Sequence, residues 1–119
     1  MSEGIETLDT FPKLLMHHAR VRGDAPAIRE KDLGIWQTWT WREFADEARF
    51  LACGLADAGL TRGSHFALVG ANRPRIYAAI AAGQCIGAIP VPLYQDAVAA
   101  EMAFPLHNAE VVHAIVEDQ

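Results

Sequence analysis

The chain has 119 residues, of which 51% are hydrophobic and 21% charged, and its formal net charge is −5. This length allows one folded domain with a real core, and the composition is too apolar for a disordered chain. The ten lysines and arginines are scattered along the sequence. The basic footprint of a nucleic-acid-binding protein is therefore missing, and we expect no nucleic-acid partner.

The first predicted element is a helix over residues 11–22. Thr10 or Asp9 can act as its N-cap, and Pro12 stands where proline favours the start of a helix. Gly23 supplies a C-terminal stop. The residues before this helix are acidic where a secretory signal would be basic, so we expect a cytoplasmic protein with two free, reduced cysteines.

Two short strand patterns, AIRE and IWQTWT, follow and predict a β-hairpin over residues 27–40. Between them lies the sequence KDLG, in which Asp32 and Gly34 suit a tight turn. Three tryptophans gather around this region. Packing of the hairpin explains them, and stacking on a ligand is the alternative. These tryptophans are Trp36, Trp39 and Trp41.

The clearest helix is predicted over residues 41–58. Thr40 followed by Glu43 is a capping-box pattern, and apolar residues recur behind it at helical spacing as far as Leu55. Gly59 marks the end of this helix. The apolar run FALVG, which glycines bound, then predicts a buried strand.

The stretch between Arg75 and Asp96 has no charged side chain, which raises the question of a membrane span. Pro90 and Pro92 would break a continuous spanning helix, and no basic cluster or aromatic belt flanks the stretch. We therefore expect no membrane span. The stretch predicts a helix over residues 74–88 and then a strand, IPVPLY, whose prolines favour a strand start or a sheet edge.

Strands alternate with helices over residues 66–117, which predicts a parallel βαβαβ sheet. A helix is predicted over residues 97–108, where Pro105 should kink it or keep it short, and VVHAIVED forms the last strand. The predicted fold class is α/β: the start of a parallel βαβαβ sheet layered with helices, preceded by a helix and a short hairpin. No helix follows the last strand, so either a partner chain covers the open faces and edges or the chain opens a longer domain.

No catalytic residue or metal site emerges from these patterns, because the serines and histidines lack the spacing of a triad or of metal ligands. Two loops, GANRP and PLYQD, follow parallel strands at the edge where open α/β sheets bind ligands. GANRP has one glycine, so helix capping by Asn72 explains it better than phosphate binding. Tyr94, in the second loop, fits an amphipathic rim residue.

The stretch TWTWREFADEARFLACGLADAGLTRGSHFALVGANRPRIYAAIAAGQCIGAIPVPLY resembles the N-terminal region of acyl-adenylate-forming (AMP-binding) enzymes. The shared features are an aromatic-Thr-aromatic entry into a long helix, a strand followed by asparagine, and an alanine-rich helix ending in GA before a VP strand. VPLY resembles the long-chain fatty acyl-CoA synthetases in particular. These features belong to the scaffold, and none of them is catalytic.

The resemblance implies a parent enzyme that is an acid-thiol ligase. In such enzymes a fatty acid carboxylate attacks the α-phosphate of Mg-ATP, and the CoA thiol then displaces AMP from the acyl-adenylate. The family's phosphate loop and catalytic lysine come later in its chain. The resemblance therefore implies that residues 1–119 are the N-terminal part of the large domain, inactive alone and without a tightly bound cofactor.

The same resemblance implies ATP, Mg²⁺ and CoA as cofactors of the parent enzyme and a fatty acid as its substrate. In some relatives a glycine-rich loop after the second strand approaches CoA. Tyr94 and Gln95 stand at that place here, so they are the candidate substrate-binding residues. No catalytic residue is carried over to this sequence.

A second hypothesis is a free-standing interaction module without catalysis, which self-associates through its open sheet edge. Both hypotheses predict a homo-oligomer of the isolated chain, because exposed apolar faces seek cover. A clean monomer at high concentration would contradict both on this point.

Overall fold

The structure is a computed structural model, and it describes residues 7–94 and 96–117. Helices and strands alternate after an N-terminal helix and a hairpin. In chain order the elements are α1 (Phe11–Val21), β1 (Pro26–Asp32), β2 (Ile35–Thr40), α2 (Trp41–Asp57), β3 (His65–Val69), α3 (Pro74–Ile86), β4 (Ile89–Leu93), α4 (Ala99–Asn108) and β5 (His113–Val116). The ends of each predicted element lie within two residues of these bounds.

Strands β3, β4 and β5 form a parallel sheet in the order β4-β3-β5, and β1 and β2 form a separate antiparallel pair. Phe66 of β3 is in register with Pro90 on one side and with His113 on the other. The predicted α/β fold class, with its parallel βαβαβ sheet, is therefore confirmed.

The core lies around the central strand β3. Phe66, Ala67 and Leu68 are fully buried, and because successive side chains point to opposite faces, both faces of β3 are closed to solvent. Phe66 and Leu68 pack with Ala79 of α3 and with Leu60 and Ala88, which lie in the loops before β3 and β4. A second cluster joins α1 to α2 through Leu15, Ala45 and Ala48.

Local hydrogen bonds fix the starts of α1 and α2. The Thr10 hydroxyl accepts from the backbone N–H of Lys13 at 3.3 Å, which selects Thr10 as the N-cap. At α2 the predicted capping box is present: Thr40 Oγ1 accepts from the backbone N–H of Glu43 at 3.2 Å, and Glu43 Oε1 accepts from that of Thr40 at 2.9 Å. These bonds satisfy donors that a helix start otherwise leaves unpaired.

The hairpin turn is tighter than predicted. Lys31 and Asp32 belong to strand β1, and the turn consists of Leu33 and Gly34, whose φ angles are +51° and +78°. Two consecutive residues with positive φ match the type I′ turn that suits the twist of a hairpin.

Packing of the hairpin does not explain all three tryptophans. Trp41 packs against the cluster between α1 and α2, with its ring centroid 4.8 Å from that of His18, and Trp39 is half-buried. Trp36, in contrast, is 65% exposed near the hairpin turn, so the prediction is wrong for this residue.

The prolines of β4 lie on a sheet edge, as predicted, because β4 pairs with β3 alone in its sheet. The backbone N–H of Ile89 donates to the carbonyl of Ser64 at 2.8 Å, so Ile89 faces β3. Alternation then turns Pro90 and Pro92 to the free edge, where a strand normally exposes its donors. This edge therefore lacks backbone donors at both prolines.

Pro105 does not end α4, which continues for three residues beyond it to Asn108. The proline removes one intrahelical donor, and the helix is only ten residues long. Within residues 7–94 and 96–117, the structure has no helix that is both long enough and apolar enough to cross a membrane.

Candidate functional site

A cleft of about 440 Å³ opens where β3 and β5 end. Its lining includes the apolar residues Leu51, Ala79 and Ile115, and the hairpin contributes Glu30 and Trp39. The volume is within the range of roughly 300 to 1,000 Å³ that small-molecule pockets occupy. The cleft also lies at the carboxyl ends of parallel strands, the edge where α/β sheets bind ligands.

Arg73, in the loop between β3 and α3, lies among three carboxylates at the rim of this cleft. Its Nε is 3.1 Å from Glu30 Oε2, its Nη2 is 3.5 Å from Asp32 Oδ1, and its Nη1 is 3.5 Å from Glu117 Oε1. The hydrogen bond to Glu30 is the main reason why the pKa of Arg73 is raised above its ordinary value. The guanidinium therefore stays charged and joins the hairpin to the ends of the parallel sheet.

The carboxylate of Glu117, which follows β5, also reaches the loop that leads into α3. Its Oε2 accepts from the backbone N–H of Ala71 at 2.5 Å. A Cβ atom on Gly70 would lie 2.9 Å from Cβ of Glu117, so glycine is required for this close approach. Because a carboxylate of the chain itself takes the Ala71 donor, the loop is not an open cradle for a phosphate.

Asn72 does not cap α3, contrary to the prediction. The N-cap is Arg73, which makes no capping bond with its side chain, and Pro74 occupies the first turn. The amide oxygen of Asn72 instead accepts from the hydroxyl of Tyr77. Asn72 stands one residue too early to act as the cap, and proline at the helix start already removes one donor that a cap would have to satisfy.

The structure does not bring Tyr94 into the cleft. Tyr94 follows β4, whereas the cleft lies on the side of β3 where β5 ends, and the side chain is 87% exposed. Gln95, the other candidate, lies outside the described residues. Among the residues that the structure describes, no group of three or more His, Cys, Asp or Glu side chains is placed to hold a metal ion.

The cluster of charged residues around Arg73 was not predicted from the sequence. One signal was available: Glu30 and Asp32 alternate along β1 and so share a face of the hairpin. The charged residues Arg73 and Glu117 also follow closely after two parallel strands. Because the rim charges pair with one another, this arrangement acts as a joint between the hairpin and the sheet.

The model of the family described as "AMP-binding enzyme" matches residues 15–119. Among curated proteins, the chain is similar to the uncharacterized protein Rv1549 of Mycobacterium tuberculosis, at 33% identity over 96 residues. The match covers 81% of this chain and 55% of that protein. The chain thus spans about half the length of this relative.

Solved structures that share the fold include the following two. The N-terminal subdomain of NpsA from Klebsiella oxytoca, in complex with 3-hydroxybenzoyl-AMSN, matches with a TM-score of 0.85 at 23% identity, over 92% of this chain and 27% of its own. A putative long-chain-fatty-acid CoA ligase from Rhodopseudomonas palustris CGA009 matches with a TM-score of 0.79 at 26% identity, over 90% of this chain and 26% of its own. The chain therefore spans about a quarter of each. With the family model covering residues 15–119, the chain belongs to the AMP-binding enzyme family.

Proposed function

We propose that the chain is the N-terminal portion of a fatty acyl-CoA synthetase. The observation that carries this proposal is the family match over residues 15–119. The fatty acid specificity is supported by the likeness to a protein named as a long-chain-fatty-acid CoA ligase, at 26% identity, and by the VPLY sequence. The chain covers only 26% of that protein, so the proposed activity is that of a longer protein of which this chain is a part.

In the proposed reaction, a fatty acid carboxylate attacks the α-phosphate of ATP and releases pyrophosphate. The CoA thiol then attacks the acyl carbon of the adenylate and releases AMP. ATP, Mg²⁺ and CoA belong to the whole enzyme in this proposal. In such phosphoryl chemistry, most of the rate enhancement comes from positioning of the reactants and from neutralisation of the charge that develops in the transition state.

In this proposal, residues 1–119 contribute to the reaction as a structural scaffold that supports the rest of the enzyme. Helices α2 and α3 pack over the buried strand β3, and Arg73 joins the hairpin to the sheet. Tyr94 and Gln95 are proposed as contacts to CoA, and the exposed position of Tyr94 leaves its ring accessible to a ligand. The isolated chain is proposed to be inactive.

A non-catalytic module that self-associates through the open sheet edge is not favoured. The family match covers nearly the whole chain, and the two prolines of β4 remove backbone donors from one of the two edges. Of the two edges of the parallel sheet in residues 7–94 and 96–117, the β5 edge is the one that retains the donors for such pairing.

The test begins with the coding frame beyond the codon for Gln119. The complete product is assayed for ATP-dependent pyrophosphate release with long-chain fatty acids and, as a competing substrate class, with 3-hydroxybenzoate. We expect release with fatty acids, and none from the 119-residue chain alone. Preference for the aromatic acid would contradict the fatty acid assignment, and release by the isolated chain would contradict its inactivity.

A further inference from the structure

The tip of the β1–β2 hairpin carries three large apolar side chains in solvent. Leu33 is 93% exposed, Ile35 is 63% exposed and Trp36 is 65% exposed. The base of the hairpin, by contrast, is fixed: the backbone N–H of Trp41 donates to the carbonyl of Ala25 at 3.1 Å. The apolar residues therefore lie together at one end of an element whose other end is anchored.

Leu33 occupies its position against its own conformational preference. Its φ angle is +51°, in the left-handed region where asparagine and glycine are common and leucine is rare. Asparagine would suit this turn better and would also suit water better. A residue that is unfavourable on both counts points to a role for the leucine side chain outside the fold of the hairpin.

The basic and the acidic side chains of β1 lie on opposite faces of the hairpin. Lys31 lies opposite Trp36, and Arg29 lies opposite Thr38, so these four residues share one face. The two acids of β1, Glu30 and Asp32, lie on the other face, where both approach Arg73.

The two cations are available on the tryptophan face. Within residues 7–94 and 96–117, neither Arg29 nor Lys31 makes an ion pair, and both are exposed. The face that presents Trp36 thus combines an aromatic ring with two uncompensated positive charges.

We propose that the hairpin tip binds an anionic lipid surface. Leu33, at the turn, enters the boundary between headgroups and acyl chains, Trp36 lies at the headgroup level, and Arg29 and Lys31 contact lipid phosphates. Ile35 pairs with Asp32 and stays on the opposite face. Tryptophan and leucine above basic side chains are the combination that interfacial membrane contacts use. The contact is weak and reversible, since one short tip buries little apolar area.

The net charge of −5 does not prevent the hairpin tip from binding an anionic surface. Screening at physiological ionic strength limits interactions between exposed charges to about 8 Å, so acids elsewhere on the chain act weakly at the tip. The ion pairs with Arg73 also hold the nearby acids Glu30 and Asp32 on the face away from Trp36. The proposal stands on the hairpin alone and does not require the proposed enzymatic function.

The test is cosedimentation of the full chain with two kinds of vesicle, phosphatidylcholine alone and phosphatidylcholine mixed with phosphatidylglycerol. We expect binding to the mixed vesicles that salt weakens. Leu33→Asn should weaken this binding about tenfold, the lower end of what burial of a leucine side chain contributes. The double variant Arg29→Gln/Lys31→Gln should weaken it about thirtyfold, because each of the two basic residues near an anionic surface contributes roughly fivefold.

Leu33→Asn is the sharpest variant because asparagine favours the type I′ turn and preserves the hairpin. Phe104→Gln, at a residue of α4 that is 74% exposed, is the matched control and should bind as the unchanged chain does. Absence of binding to mixed vesicles overturns the proposal, as does unchanged binding by Leu33→Asn. A loss of self-association in Leu33→Asn without any vesicle binding assigns the tip to a protein contact instead, and also overturns it.

Discussion

Gly83 is the residue at which α3 comes closest to the sheet. A Cβ atom at this position would overlap Cζ and Cε1 of Phe66, and both residues are fully enclosed. Helix α3 can therefore lie this close to β3 only because residue 83 has no side chain. Gly54, in contrast, lies within α2 with open space around it, so its lack of a side chain serves no contact.

These two glycines give a matched pair of stability predictions. Gly83→Ala should lower the free energy of unfolding by about 1 to 3 kcal/mol, because the core must move to accept the methyl group. Gly54→Ala should raise it by about 0.5 to 1 kcal/mol, since alanine is the better helix former. Urea unfolding measures both changes. Equal stability of Gly83→Ala and the unchanged chain would contradict the packing described for Phe66.

Tyr94 carries the one proposed ligand contact that the structure describes. In the complete enzyme, Tyr94→Ala should raise KM for CoA by about tenfold, the effect of roughly 1.4 kcal/mol of lost binding, and should change KM for ATP less. Tyr94→Phe, which keeps the ring, should retain most of the affinity if stacking provides the contact. Equal changes in both KM values would assign Tyr94 to the scaffold.

The side-chain contact that was predicted correctly from the sequence joins two residues that are close together in the chain. Thr40 and Glu43 are three positions apart, so their mutual capping bonds could be predicted from spacing alone. Arg73 and Glu30 are 43 positions apart, and only the fold brings them together. Asn72 was assigned to a cap because its type favours that role, but its position relative to Pro74 decided otherwise.

At the scale of elements, the start of α2 depends on pH. The carboxylate of Glu43 accepts a hydrogen bond from the backbone N–H of Thr40, and this bond is the main reason why the pKa of Glu43 lies below its ordinary value. The ionised form is therefore favoured in the folded state. Its contribution to stability is present above the ordinary glutamate pKa of about 4.3 and is lost as the pH falls through the lower, folded value.

The prediction is that Glu43→Gln lowers the free energy of unfolding at neutral pH and does so progressively less in acid. Glutamine still accepts a hydrogen bond but carries no charge, so the two proteins should converge once Glu43 is protonated. Urea unfolding from neutral pH down to the acid limit of solubility measures this difference. A difference that stays constant with pH would contradict the assignment.

The joint at Arg73 belongs to the same scale, because it connects the hairpin to the strands. Arg73→Gln should increase hydrogen exchange of backbone amides in β1 and β2 more than in β3, since the three carboxylates then repel one another. Arg75→Gln is the matched control, because Arg75 lines the same cleft and makes no ion pair within residues 7–94 and 96–117. An equal increase in β3 would contradict a local joint.

Element positions could be predicted well because caps, glycines and prolines mark their ends in the sequence. The hairpin turn was the exception, since Asp32 and Gly34 are both common turn residues and the leucine between them is not. The edge position of β4 followed from Pro90 and Pro92, because a central strand cannot spare two donors.

At the scale of the whole molecule, apolar side chains remain exposed on the last two elements and the loop between them. Phe104 of α4 is 74% exposed, and Val112 and Val116 beside or within β5 are 65% and 54% exposed. The isolated chain should therefore self-associate. Light scattering at increasing concentration measures this. Val116→Lys should reduce association, and a clean monomer at high concentration would contradict the prediction.

The fold class and the family could be predicted from the sequence, because periodicity and scaffold motifs are local signals. The cleft could not, since its walls come from the hairpin, from α2 and from the ends of two strands. Tyr94 and the loop after β3 were correctly placed after adjacent strands. The cleft nevertheless forms toward β5, because the hairpin closes that side.

The prolines of β4 also set the direction in which the parallel sheet can grow. A new strand, whichever chain supplies it, finds its backbone donors beside β5 and not beside β4. Two copies that pair through this sheet therefore make the fuller set of hydrogen bonds when they meet β5 to β5, and neither copy then keeps a free β5 edge. Such pairing closes at two copies, so the prolines of β4 disfavour end-to-end polymerisation of this sheet.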